Sequence, residues 1–122
     1  MRRPERVAEL LREEIPTIVS YELDDPRVET VTVTDVRVAD NLRDARVFVT
    51  VEGDEAETQA ALLGLRNAAP YVRRQLAIAL DVRHVPHLHF VRDTVEERAN
   101  RIETLLANIN VERDKGQETR DE

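Results

Sequence analysis

Apolar residues recur at three- and four-residue intervals through the first stretch of the chain, at Val7, Leu10, Leu11, Ile15, Ile18 and Val19, with Arg and Glu between them. That period places them on one stripe of a helix from Pro4 to about Leu23. Pro16 falls inside it, and an interior proline removes a backbone donor and crowds the carbonyl four residues earlier. A kink or two shorter helices are expected there. Asp24-Asp25-Pro26 is a stop signal, after which the period changes to two over Val28–Val38, rich in β-branched residues. The alternation slips by one residue between Val33 and Val36, which predicts a bulge near Asp35. Asp40-Asn41 opens a short polar connection. Ala45 to Val51 then alternates with Val47, Val49 and Val51 on one face, so the two strands form an antiparallel hairpin.

The acidic run Glu52-Gly53-Asp54-Glu55 starts a second helix to about Asn67, with Ala61, Leu62 and Leu65 available for burial. Pro70 disfavours helical backbone at Ala69 and suits the first turn of a new helix, so a third helix is expected from Pro70 to about Asp81, burying Val72, Leu76 and Leu80. Residues 87–91 read as a third strand. Thr94 and Glu97 have capping-box spacing, and Val95, Ala99, Ile102, Leu106 and Ile109 form the stripe of a closing helix. From Val111 onward only Val111 is apolar, so 111–122 reads as a disordered, charged tail behind a single domain at 1–110. The order is α-β-β-α-α-β plus a closing helix. A three-stranded sheet with helices on one side is the simplest α+β arrangement that buries these faces.

Composition adds little until charge is mapped along the chain. At 122 residues, 41% hydrophobic, the protein has room for one aliphatic core. Without cysteine it has no disulfide, thiolate metal site or cysteine nucleophile. No apolar run approaches a membrane span or signal-peptide core, so a cytoplasmic address is expected. The formal charge is −7, yet Arg66, Arg73, Arg74, Arg83 and Arg92 share their segment with one acid, Asp81. A local basic patch acts over about 10 Å whatever the global charge, so RNA remains a candidate partner. Backbone N–H groups at the start of the expected third helix, around Tyr71 and Val72, would add an anion site beside Arg73 and Arg74, with Tyr71 available for base stacking. The alternative is that these arginines pair with surface acids and Tyr71 packs inward.

Catalytic chemistry finds little support. Ser20 is the one serine and has no histidine near it in sequence, and the glycines at 53, 64 and 116 are isolated, so neither a Ser-His triad nor a phosphate-binding loop is present. His84, His87, His89 and Asp93 are the best metal candidates. Solvent-facing positions alternating with buried Leu88 and Phe90 explain the last two histidines better, and no metal or cofactor is expected. A rival from another class is a protein-interaction module pairing the closing helix, through Val95, Ile102 and Ile109, with a partner helix.

Five blocks carry a more specific likeness: Arg6-Val7-Ala8, Asp25-Pro26-Arg27-Val28, Val31-Thr32-Val33-Thr34-Asp35-Val36, Ala45-Arg46-Val47-Phe48-Val49 and Val85-Pro86-His87-Leu88-His89-Phe90. In this order, over roughly residues 3–109, they resemble the signature blocks of bacterial ribosome-binding factor A. The resemblance implies a type II KH-like fold, whose usual Gly-x-x-Gly RNA clamp this family replaces with an Ala-x-Gly helix kink. Ala68-Ala69-Pro70 resembles that kink, with Pro70 where the family has glycine; Ile78 and Asp81 stand where relatives commonly carry Lys or Arg. It further implies a monomeric, non-enzymatic assembly factor. Such a factor binds 16S rRNA in the free, immature 30S subunit near the decoding region, assists late maturation including formation of the rRNA 5′ end, and matters for growth in the cold. The residues expected to meet RNA are Arg66, Ala68, Ala69, Pro70, Tyr71, Arg73, Arg74 and Arg83.

Overall fold

A computed structural model describes residues 3–101. The chain divides after Arg92 into two compact units. In the first, helix α1 (Arg3–Tyr21) leads through a 3-10 turn (Pro26–Val28) to strands β1 (Val31–Val38) and β2 (Asp44–Val51), then helix α2 (Glu55–Leu80) and strand β3 (His87–Arg92). In the second, residues 95–101 are helical, and Thr94 Oγ1 accepts the Glu97 N–H at 3.1 Å, as the capping signal predicts. The predicted tail and the apolar stripe beyond Arg101 lie outside the described residues.

The sheet order is β1-β2-β3. β1 and β2 pair antiparallel as a hairpin, with a register shift between Val33 and Asp35 where the bulge is expected. The shift has a physical purpose: Val33 pairs with Val49 and Val36 with Val47, so the extra residue, Thr34, keeps Val31, Val33, Val36 and Val38 on one face despite their uneven spacing. β3 pairs parallel to β2, which requires a long crossover, and α2 supplies it. Val36, Ala45, Val47, Val49, Leu88 and Phe90 pack against Leu11, Ile15, Ile18 and Val19 of α1 and Ala61, Leu65, Val72 and Leu76 of α2 in one core. Both helices therefore cover the same side of the sheet. On β3, His87 and His89 are exposed between buried Leu88 and Phe90.

The helix breaks expected at the prolines need correction. α1 runs uninterrupted through Pro16, and the two helices expected on either side of Pro70 are one helix of 26 residues. Burial decides this. An interior proline costs about 3 kcal/mol, whereas each fully buried Val, Leu or Ile contributes about 1.5–3 kcal/mol. Pro16 is flanked by buried Leu11, Ile15, Ile18 and Val19, and Pro70 by buried Leu65, Val72 and Leu76.

Candidate nucleic-acid interface

Continuity of α2 through Pro70 changes how the basic segment can work. In an unbroken helix the N–H groups of Tyr71 and Val72 point at the carbonyls of Asn67 and Ala68. There is no helix N-terminus at this point and no backbone anion site. What proline leaves without its donor is the Arg66 carbonyl, an acceptor, which has the wrong sign for phosphate. Any grip on an anion falls to side chains.

Of the predicted corner, Ala68 and Ala69 are half-buried and Pro70 is exposed. Tyr71 packs against the core, and its hydroxyl donates to Glu22 Oε1 at 3.2 Å. Burial, and then the Glu22 carboxylate, push its phenol above the ordinary value of 10.0. The inward alternative thus holds for the ring's packing, while Arg74 lies 5.9 Å from the ring centroid.

The arginines divide by what they touch. Arg66 Nη2 donates to the Phe90 carbonyl at 3.3 Å. Arg73, seven residues on and so two turns along the same helix face, donates from Nε to Pro86 O at 3.1 Å and from Nη2 to Val85 O at 2.8 Å. Arg92 Nη1 pairs with Glu55 Oε1 at 2.8 Å, and that carboxyl is held low by its Gln59 and Arg92 hydrogen bonds. Arg83 is exposed. Pro70, Arg73, Arg74, Ala77, Arg83 and Val85 line one open groove of about 300 Å³. Carbonyl partners satisfy hydrogen bonds without neutralising charge, so three guanidinium groups line this groove and none has a carboxylate partner among the described residues.

Two features of the segment were not foreseen. Arg66 donates to a β3 carbonyl while itself exposed, and Arg73 donates to the two carbonyls just before β3; their heptad spacing was the available clue. The helix also ends on Asp81 in left-handed backbone, φ 54° and ψ 48°, with Val82 N–H on Ala77 O at 3.1 Å, which closes the last turn.

The metal candidates do not converge. His89 Nε2 lies 2.8 Å from Asp44 Oδ1, and the Asp93 carboxylate accepts from Arg98 and Arg101. Among the described residues no group of three His, Asp or Glu is placed to hold a metal ion, and no helix is long and apolar enough to cross a membrane. Of the partner-helix stripe, Val95 is 73% exposed, and Ile102 and Ile109 lie outside the described residues.

Comparison with known proteins converges on one family. The sequence profile described as Ribosome-binding factor A matches residues 3–106. The ribosome-binding factor A of Gemmatimonas aurantiaca is 46% identical over 115 residues, covering 93% of this chain and 79% of that protein. That of Solibacter usitatus is 44% identical over 117 residues, covering 96% and 94%. The crystal structure of ribosome-binding factor A from Thermus thermophilus matches with a TM-score of 0.54 at 27% identity, covering 73% of this chain and 90% of that one. A homology model of the Thermus thermophilus factor, fitted into the cryo-EM map of its complex with the 30S subunit, matches with a TM-score of 0.60 at 26% identity over 70% and 90%. With the element order, the three-stranded sheet and these similarities in agreement, the chain belongs to the ribosome-binding factor A family and has its KH-like α+β fold.

Proposed function

We propose that this protein is a non-catalytic, cytoplasmic assembly factor that binds the free small ribosomal subunit as a monomer through 16S rRNA and assists its late maturation, including formation of the 5′ end. The RNA is held along the face formed by Arg66, Ala68, Ala69, Pro70, Tyr71, Arg73, Arg74 and Arg83. The observation that carries the reading is the groove where Arg73, Arg74 and Arg83 gather beside exposed Pro70 without carboxylate neutralisation, in a chain of net charge −7. Concentrated local positive charge on an acidic protein suits a partner that is engaged at one place and later released. Family membership supports the choice of partner, since the similar Thermus thermophilus factor was fitted in complex with the 30S subunit.

Sedimentation with separated ribosomal particles tests this directly. The protein is expected to co-migrate with free small subunits and not with whole ribosomes; failure to co-migrate with small subunits removes the proposal. If about four phosphates are contacted, affinity for single-stranded RNA falls with a log-log salt slope near −3. A slope near zero at constant pH removes its electrostatic basis. Arg74→Ala with Arg83→Ala is expected to weaken subunit binding by about 1–3 kcal/mol while leaving the protein folded.

A further inference from the structure

Three arginines line the groove, but they are not equivalent. Arg74 and Arg83 are exposed and Arg73 is half-buried. Two arms of the Arg73 fork are committed to consecutive carbonyls, Pro86 O at 3.1 Å and Val85 O at 2.8 Å. These carbonyls end the connection between α2 and β3, and Arg83 sits on that connection. Val85 is half-buried and Pro86 buried, and Arg73 supplies both of their carbonyls with a donor. Among the described residues β3 is an edge strand, with no neighbouring strand on its far side to supply donors. Two turns earlier on the same helix face, Arg66 gives the Phe90 carbonyl its donor. Arg66 and Arg73 together reach from Phe90 in β3 back to Pro86 and Val85 just before it, in the direction an antiparallel helix would meet the chain.

We propose that Arg73 is a positioning residue: it latches the 82–86 connection to α2 and so fixes Arg83 opposite Arg74, and these two arginines are the groove's phosphate contacts. A planar guanidinium suits the task because Nε and Nη2 reach two neighbouring acceptors at once in a fixed fork, which an ammonium on a flexible stem does not reproduce. The inference rests on the RNA-binding reading for its second half only. The latch is a property of the free protein.

The test uses the full-length protein with Arg73→Lys, Arg73→Ala, Arg83→Ala and the Arg73→Lys/Arg83→Ala double variant. Amide exchange is measured on the free protein, and affinity is measured for an oligouridylate. Arg73→Lys keeps the charge. As a direct contact it would hold oligouridylate affinity near the wild-type value; as a broken latch it speeds exchange at Val82 and His87, whose amides donate to Ala77 O and Arg43 O, and lowers affinity about tenfold, the loss of one charge-assisted contact. Exchange in β2 stays at the wild-type rate, which separates a loosened connection from global unfolding. Arg83→Ala lowers affinity without altering exchange, and adding Arg73→Lys to it costs no further affinity. Unchanged exchange at Val82 and His87 in both Arg73 variants overturns the latch. Additive losses in the double variant overturn the assignment of Arg83 as the residue it positions. If the wild type shows no salt-dependent binding, the RNA reading fails and exchange alone judges the latch.

Discussion

Arg12 on α1 donates from Nε to Asp35 Oδ1 at 3.0 Å and from Nη2 to the Val36 carbonyl at 2.9 Å, so the first helix grips the bulge of β1. Asp35 also accepts the Val36 N–H at 2.8 Å and Arg37 Nε at 3.2 Å. Burial alone would raise this carboxyl, but the Val36 N–H and the two guanidinium groups outweigh it and hold it below the ordinary 3.8. A native value lowered in this way favours the folded state while the group is ionised. The contribution is complete above the ordinary carboxylate range and is lost as pH falls below it through the lower native value. Asp35→Asn is expected to cost about 1–2 kcal/mol at neutral pH, discounted for the partly exposed guanidinium groups. Urea denaturation should find that difference closing as pH falls below the ordinary carboxylate range. A gap of constant size across the range would show that charge is not the source.

Gly64 sits in the middle of α2, where alanine ordinarily improves a helix by about 1 kcal/mol. Here the added Cβ would stand 2.9 Å from Asp25 Oδ2 and 3.1 Å from Val28 Cγ1. The Asp25 carboxylate is held by Arg27 N–H, Nε and Nη2, and Val28 is in the core, so neither neighbour retreats easily. Gly64→Ala is expected to destabilise by about 1–3 kcal/mol, read from the denaturation midpoint. A gain in stability would mean the 3-10 turn yields freely.

Asp81 ends α2 in left-handed backbone, where glycine carries no Cβ penalty. Its carboxylate also meets the negative end of the helix dipole. Asp81→Gly is expected to stabilise the protein by about 1 kcal/mol and to strengthen RNA binding by removing an anion from the basic segment. Thermal unfolding and the RNA affinity check the two effects separately.

Pro70→Ala restores the N–H that the Arg66 carbonyl lacks. It is expected to stabilise the protein by about 1–3 kcal/mol. Circular dichroism during urea titration checks this. A lower stability would show that the ring's contacts matter more than the missing hydrogen bond.

Much of the fold was legible because its signals are local. The period of two in β1 and β2, the slipped alternation at Thr34 and the capping pair Thr94 and Glu97 each depend on neighbouring residues, and each stands where the sequence places it. The start of α2 falls within the acidic run where the sequence places it. Its true cap is Asp54, whose side chain accepts Glu57 N–H while Glu57 Oε1 accepts Asp54 N–H, both at 2.8 Å. That capping box was present in the sequence, hidden within an acidic run that reads as undifferentiated charge.

By itself the sequence determined the element types, the hairpin with its bulge, the aliphatic core and the concentration of arginine between residues 66 and 92, since period, turn chemistry and charge are written in adjacent residues. Tertiary structure decided three other things: that Pro16 and Pro70 lie inside continuous helices, that β3 joins parallel to β2, and that Arg66 and Arg73 donate to backbone carbonyls of β3 and the connection before it while Arg74 and Arg83 line the groove without a carboxylate partner among the described residues. A proline's local cost is fixed, but whether it breaks a helix depends on how much apolar surface its neighbours bury against distant elements. An arginine's charge is likewise fixed, whereas its partner is whichever acceptor the fold brings within about 3 Å.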